Sequence, residues 1–163
     1  MPKAAIVMGS VSDLDVVKPT IDILKKFDVE VEVRVISAHR TPQMAHDFAN
    51  NAIENNIEVI ICAAGKAAHL GGVIAAYTPL PVIGLPVKSS TMDGLDSLLS
   101  MVQMPSGIPV ACVAINGGLN AGLLAIQILS VKYPNLMKKM QDYKISMAEK
   151  IKSDDEKLQK ELF

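Results

Sequence analysis

Val29-Glu30-Val31-Glu32-Val33-Arg34-Val35-Ile36, followed without a break by Ser37-Ala38-His39-Arg40-Thr41-Pro42, decides the fold. The first eight residues alternate β-branched and charged side chains, which is the period of a strand. The next six carry the chemistry of a helix start. Pro42 suits a first helical position, where its missing amide is not needed, and Thr41 is able to cap the free amides. The junction sets His39, a titratable imidazole, and Arg40, a permanent cation, at the carboxyl end of a strand. Ligands of open α/β sheets bind at such ends.

The same succession repeats along the chain. Residues 4–8 form a short apolar strand, followed by Gly9-Ser10-Val11-Ser12-Asp13 and a helix over residues 13–27, in which Pro19 is expected to produce a kink or a delayed start. Residues 42–55 read as helix and 57–63 as the third strand. The loop Ala64-Gly65-Lys66-Ala67-Ala68-His69-Leu70-Gly71-Gly72 then leads into a small-residue helix that reaches Tyr77. Residues 82–85 form a fourth strand, 95–101 a helix, 110–114 a fifth strand and 120–130 a helix. Strands alternating with helices imply a parallel sheet with right-handed crossovers and helices on both faces, a three-layer flavodoxin-like α/β fold.

Residues 136–162 form a long charged helix, with Leu136, Met140, Tyr143, Met147, Ile151 and Leu158 at near-helical spacing. That stripe suits packing on its own domain and suits a neighbouring subunit equally well. With no linker, repeat or low-complexity segment, residues 1–163 are expected to form one domain, an α/β core over 1–132 and a helical tail over 133–163.

Composition narrows the function. A length of 163 residues allows a full core, and 50% hydrophobic with 20% charged residues argues against disorder. The formal net charge of −1 gives no reason to expect a nucleic-acid or membrane partner, so any phosphate binding must be local. The start lacks the apolar core of a signal peptide, and no apolar run approaches the roughly 18 residues of a membrane span. Cys62 and Cys112 lie in strand-like stretches too far apart for a zinc pattern and read as two buried thiols of a reducing compartment, hence the cytoplasm. Trp is absent and the mean hydropathy is +0.30, which suits close packing of small and aliphatic side chains and hints at buried subunit interfaces.

Loops after the first three strands are expected to converge on one crevice. In the first, glycine allows close backbone approach, Ser10 and Ser12 offer hydroxyls to a phosphate, and Asp13 suits a ribose diol. Taken alone, that loop is explained as well by a helix cap at Ser12 or Asp13. In the second, His39 gives and takes protons, with a reference pKa of about 6.5, while Arg40 presents a planar fork of donors and Ser37 a hydroxyl. In the third, small residues leave room for a planar ligand and His69 offers a directional hydrogen bond, or is merely satisfied within helix–sheet packing. His46 falls inside a helix and reads as surface. No metal cluster, G-x-S-x-G elbow, Walker loop or complete dinucleotide fingerprint is present, so metal and nicotinamide are disfavoured.

In order, these segments resemble the N5-carboxyaminoimidazole ribonucleotide mutase family of bacterial purine biosynthesis, in its class I form. The matching pieces are Met8-Gly9-Ser10-Val11-Ser12-Asp13, Ser37-Ala38-His39-Arg40-Thr41-Pro42, Ala67-Ala68-His69-Leu70, Leu80-Pro81-Val82-Ile83-Gly84, Asp96-Ser97-Leu98-Leu99-Ser100, Val102-Gln103-Met104-Pro105-Ser106-Gly107-Ile108-Pro109-Val110 and Asn120-Ala121. The family commonly carries glycine where this chain has Ala63 and Lys66, and proline where it has Gly71. Its loop around residues 116–119 is usually longer.

The resemblance implies a carboxylate shift from the exocyclic nitrogen to carbon 4 of one imidazole ribonucleotide, with no cofactor: no ATP, metal or biotin. By motif position, His39 is the proton shuttle. Ser10, Ser12 and Asp13 hold phosphate and ribose, with Ser37, Ala38 and Arg40 beside them, and Gly65, His69 and Leu70 line the base and carboxylate pocket. The only partner implied besides this small molecule is further copies of the chain, since members are typically homo-octamers. Two competing readings are a class II carboxylase that takes free carbon dioxide and a non-catalytic nucleotide-binding module.

Overall fold

Two strands with almost no side chain facing water form the centre of the molecule. In the computed structural model, which describes residues 1–162, these are β3 (Val59–Gly65) and β4 (Val82–Val87). Continuous apolar runs are what a parallel sheet covered on both faces requires. Fully buried Ile60, Ile61, Ile83 and Leu85 are each worth about 1.5–3 kcal/mol of apolar burial. Outside them lie β1 (Lys3–Met8), β2 (Glu30–Val35) and β5 (Ala111–Cys112). The sheet is wholly parallel with the order β2-β1-β3-β4-β5, the flavodoxin-like arrangement expected from the alternation of elements. The alternating stretch that opened the reading is the edge strand β2, which explains its charged side chains; Lys3 pairs with Glu32 across it at 3.0 Å.

Helices cover both faces. Side chains of β1 alternate between them. Ala4, Ile6 and Met8 join a core with α1 (Leu14–Lys26), α5 (Gly118–Ser130) and the start of α6 (Pro134–Leu162). Ala5 and Val7 join a second core with α2 (Pro42–Asn51), α3 (Leu70–Tyr77) and α4 (Leu95–Val102). The helix α1 runs through Pro19, which lies on its exposed side, and it starts one residue later than expected, after a single 3-10 turn over Val11–Asp13.

Several boundaries differ from the sequence reading, three of them with a visible physical reason. The helix α2 stops at Asn51 rather than 55. The chain then turns, with Asn56 in the left-handed region at φ 61° and the amide of Ile57 donating to the Ala52 carbonyl at 3.0 Å. The strand β4 extends past Leu85 to Val87. The strand β5 is two residues long rather than five, and Pro86 explains why. The Pro86 carbonyl faces the β5 side and accepts from Asn116 at 2.8 Å, so the amide missing from that proline is also missing from the β5 ladder.

The tail divides. Leu136 and Met140 are buried against the first core, and Tyr143 packs edge-on to Phe27 with centroids 5.8 Å apart. Beyond them Met147, Ile151, Leu158 and Leu162 are exposed. No helix among the described residues is long and apolar enough to cross a membrane.

Candidate active site

Because all five strands are parallel, the loops that follow β1, β2, β3 and β4 emerge along one edge of the sheet. They enclose a cleft of about 650 Å³. All ten residues singled out from the sequence line it: Ser10, Ser12 and Asp13 after β1; Ser37, Ala38, His39 and Arg40 after β2; Gly65, His69 and Leu70 around the loop after β3.

The first loop is tied to the sheet by the Gly9 amide, which donates to the Ala63 carbonyl at 3.0 Å. Ser10 is extended, and its hydroxyl oxygen accepts from the Ser12 amide at 3.3 Å and from the Ser12 hydroxyl at 2.9 Å. The cap therefore sits at Ser10, not at Ser12 or Asp13, and the Ser10 hydroxyl hydrogen stays free for a ligand. Asp13 precedes α1 without capping it and is 8% exposed. Burial pushes its carboxyl above the ordinary range, with the Ser12 hydroxyl and the Ser10 backbone contact pulling partly back.

The second loop is a closed turn. Thr41 makes no cap; its hydroxyl accepts from the Ser37 amide at 3.0 Å and donates to the Ser37 carbonyl at 2.9 Å. The bond fixes the backbone that aims His39 and Arg40. The Arg40 guanidinium donates to the Ser37 hydroxyl and to the Gly9 carbonyl, each at 3.3 Å, so it bridges the first two loops and keeps further donors available.

His39 spans the remaining gap. Its Nε2 lies 2.9 Å from Nδ1 of His69, with the rings edge to face at 87°. One of these nitrogens carries the hydrogen and the other accepts it. His69 closes the third loop, where its amide donates to Ala67 at 2.9 Å and its carbonyl receives Val73 of α3. Gly65 has to be small, since a Cβ there would stand 3.2 Å from the Val87 carbonyl of β4. Lys66, next to it, adopts φ 57°.

A fourth loop was not foreseen. Val87, Lys88, Ser89 and Ser90 line the far end of the cleft. Lys88 is anchored by its amide to Asn116 Oδ1 at 2.8 Å and by its ammonium to Asp93 at 3.1 Å. The signal was available, because a strand beside β3 in a parallel sheet must deliver its next loop to the same edge.

The other candidates lie elsewhere. His46 is on α2, 3.0 Å from the Asp47 carboxylate and stacked edge-on with Tyr77. Cys62 is buried in β3 and Cys112 is half-buried in β5, and burial raises both thiols. Among the described residues no three His, Cys, Asp or Glu side chains are grouped to hold a metal.

A family model described as AIR carboxylase matches residues 3–150. The N5-carboxyaminoimidazole ribonucleotide mutase of Pyrococcus abyssi is 57% identical over 147 residues, 90% of this chain and 84% of its own length. That of Thermotoga maritima is 52% identical over 159 residues, covering 98% and 93%. The crystal structure of Treponema denticola PurE superposes with a TM-score of 0.89 at 31% identity over 97% of this chain and 99% of that one.

Proposed function

The chain belongs to the AIR carboxylase family, and on that premise we propose that it is an isomerase of purine biosynthesis that converts N5-carboxyaminoimidazole ribonucleotide into 4-carboxy-5-aminoimidazole ribonucleotide. The contact between His39 and His69 at the mouth of a cleft lined by phosphate-type donors carries this reading.

The ribonucleotide phosphate sits against the free Ser10 hydroxyl, Ser12 and the unspent donors of Arg40, and Asp13 accepts from the ribose diol. This places the imidazole over the third loop, where Gly65 and Ala67 leave room and Leu70 and His69 form the wall. The carboxylate leaves the exocyclic nitrogen as carbon dioxide while His39 protonates that nitrogen. The same carbon dioxide is then attacked by carbon 4, whose proton returns to His39, and no net proton is consumed. His69 holds the His39 ring and sets which nitrogen carries hydrogen, as general acid–base work requires. Carbon dioxide is retained because small apolar side chains and a bound nucleotide exclude water from the third loop.

The working form is a cytoplasmic homo-octamer, with the exposed outer half of α6 available for contacts between chains. The direct test follows the ultraviolet change of the N-carboxylated substrate with ATP and bicarbonate absent. Conversion without exchange of a labelled carboxylate into solvent carbon dioxide is the expected result. Free exchange during turnover assigns the chain to carboxylases that take carbon dioxide from solution, and binding without conversion reduces it to a nucleotide-binding module.

A further inference from the structure

We infer that Lys66 is a carboxylate-holding residue in the cleft, on the loop after β3 and across the β1 loop from Arg40, by which this chain separates carboxylated from uncarboxylated imidazole ribonucleotides. The inference rests on the reaction proposed above and adds to it a side-chain cation where the resembled family commonly has glycine.

The placement comes from register. Gly65 pairs with Val87 across β3 and β4, so Lys66 and Lys88 leave neighbouring strands at the same level. Of these two ammonium groups, Lys88 is committed to Asp93 at 3.1 Å. Lys66 has no hydrogen-bond or ion-pair partner among the described residues, is exposed, and lines the cleft. Its backbone stands at φ 57°, a conformation that glycine takes freely and lysine takes at a cost. The arrangement holds a cation at the cleft with no partner for it among the described residues.

The other cationic end is fixed on the opposite side. Arg40 is bound to Gly9 and Ser37, at the loops of β1 and β2. Neighbouring strands lie about 4.8 Å apart, so the loops after β2 and β3, which carry Arg40 and Lys66, are separated by roughly 10 Å, with the Ser10 loop after β1 between them. A ligand that is anionic at both ends matches this spacing: phosphate toward Ser10 and Arg40, a carboxylate toward Lys66. Because an ammonium on a flexible stem is a point charge without directional demand, it is able to follow the carboxylate from the exocyclic nitrogen to carbon 4. The uncarboxylated nucleotide offers it no charge.

The experiment measures equilibrium binding of 4-carboxy-5-aminoimidazole ribonucleotide and of 5-aminoimidazole ribonucleotide to the full-length assembly, for the unaltered protein and for Lys66→Met, Lys66→Gly and Lys66→Arg. Both neutral variants should weaken the carboxylated ligand about tenfold and leave the uncarboxylated one within about twofold, with Lys66→Arg restoring most of the difference. Glycine accepts the left-handed backbone, so that variant separates loss of charge from loss of loop shape. Equal shifts for both ligands, or no shift for either, overturn the role of Lys66 while leaving the reaction standing. Failure of the unaltered protein to bind either nucleotide overturns the reaction, and the inference with it.

Discussion

His39 Nε2 and His69 Nδ1 stand 2.9 Å apart with ring planes at 87°, so a single hydrogen is shared by loops that follow two different strands. Two N–H groups cannot face each other at that distance, and the contact therefore holds only while at most one of the facing nitrogens is protonated. His39→Asn should lower kcat by at least about 100-fold, the scale of a lost general acid–base group, with nucleotide affinity retained. Near-normal turnover in that variant removes His39 as the shuttle. His69→Ala should cost about tenfold, and His69→Asn less, because its amide oxygen restores an acceptor close to the place of Nδ1. The loss in His69→Ala should fall on kcat, with nucleotide affinity retained. An unchanged kcat assigns His69 to packing alone.

Asp13 is held at a cost that depends on pH. Burial raises its folded carboxyl above 3.8, so the folded chain binds this proton more tightly than the unfolded chain does. Stability therefore falls as pH rises from about 3.8 through the raised value, and the penalty is fully present at neutral pH. Asp13→Asn should melt higher than the unaltered protein near neutral pH, and the gap should close on acidification below 3.8, where Asp13 is protonated in both the folded and the unfolded chain. The same variant should bind nucleotide more weakly. A melting difference that is constant with pH, measured by calorimetry, contradicts this account.

That these ten residues would line one cleft was legible because periodicity locates strand ends and a parallel sheet brings those ends to one edge. Ser10, His39 and His69 needed only to follow strands to meet. The last two residues of β4 were hidden by Pro86. A proline usually ends a strand, yet this one keeps its place because its donorless side faces β5, whose ladder stops there. Thr41 was read as a cap because capping chemistry is local, whereas its hydroxyl found the nearer carbonyl of Ser37. The left-handed backbone at Lys66 has no sequence signal at all when glycine is absent. The tail illustrates another limit, since its stripe is continuous in sequence while only Leu136, Met140 and Tyr143 reach the core.

The crossing of α1 and α5 supplies a prediction about stability alone. A Cβ on Gly118 would stand 2.1 Å from the Val16 carbonyl and 3.2 Å from the Thr20 hydroxyl, which itself donates to the Gly118 carbonyl at 2.7 Å. The nearest obstacle is backbone, so relief requires the helices to part. Gly118→Ala should cost about 3 kcal/mol and lower Tm by roughly 6–12 °C. A melt within a degree or two of the unaltered protein shows that this crossing yields.

The division of α6 decides where a truncation is informative. Met147, Ile151, Leu158 and Leu162 are 44%, 68%, 49% and 63% exposed, an apolar row along a helix that otherwise carries charge. Removing everything after Leu136 would also remove buried Met140 and the Tyr143 ring against Phe27, at about 2–5 kcal/mol for such a loss of core. Dissociation of that variant would report unfolding as much as assembly. Ending the chain after Ser146 keeps those contacts and deletes the exposed row. This shorter chain should keep its circular dichroism and melt cooperatively while light scattering shows smaller particles at micromolar concentration. Assembly of unchanged mass would place the contacts between chains on the α/β core, and the outer half of α6 would then stand free in solvent.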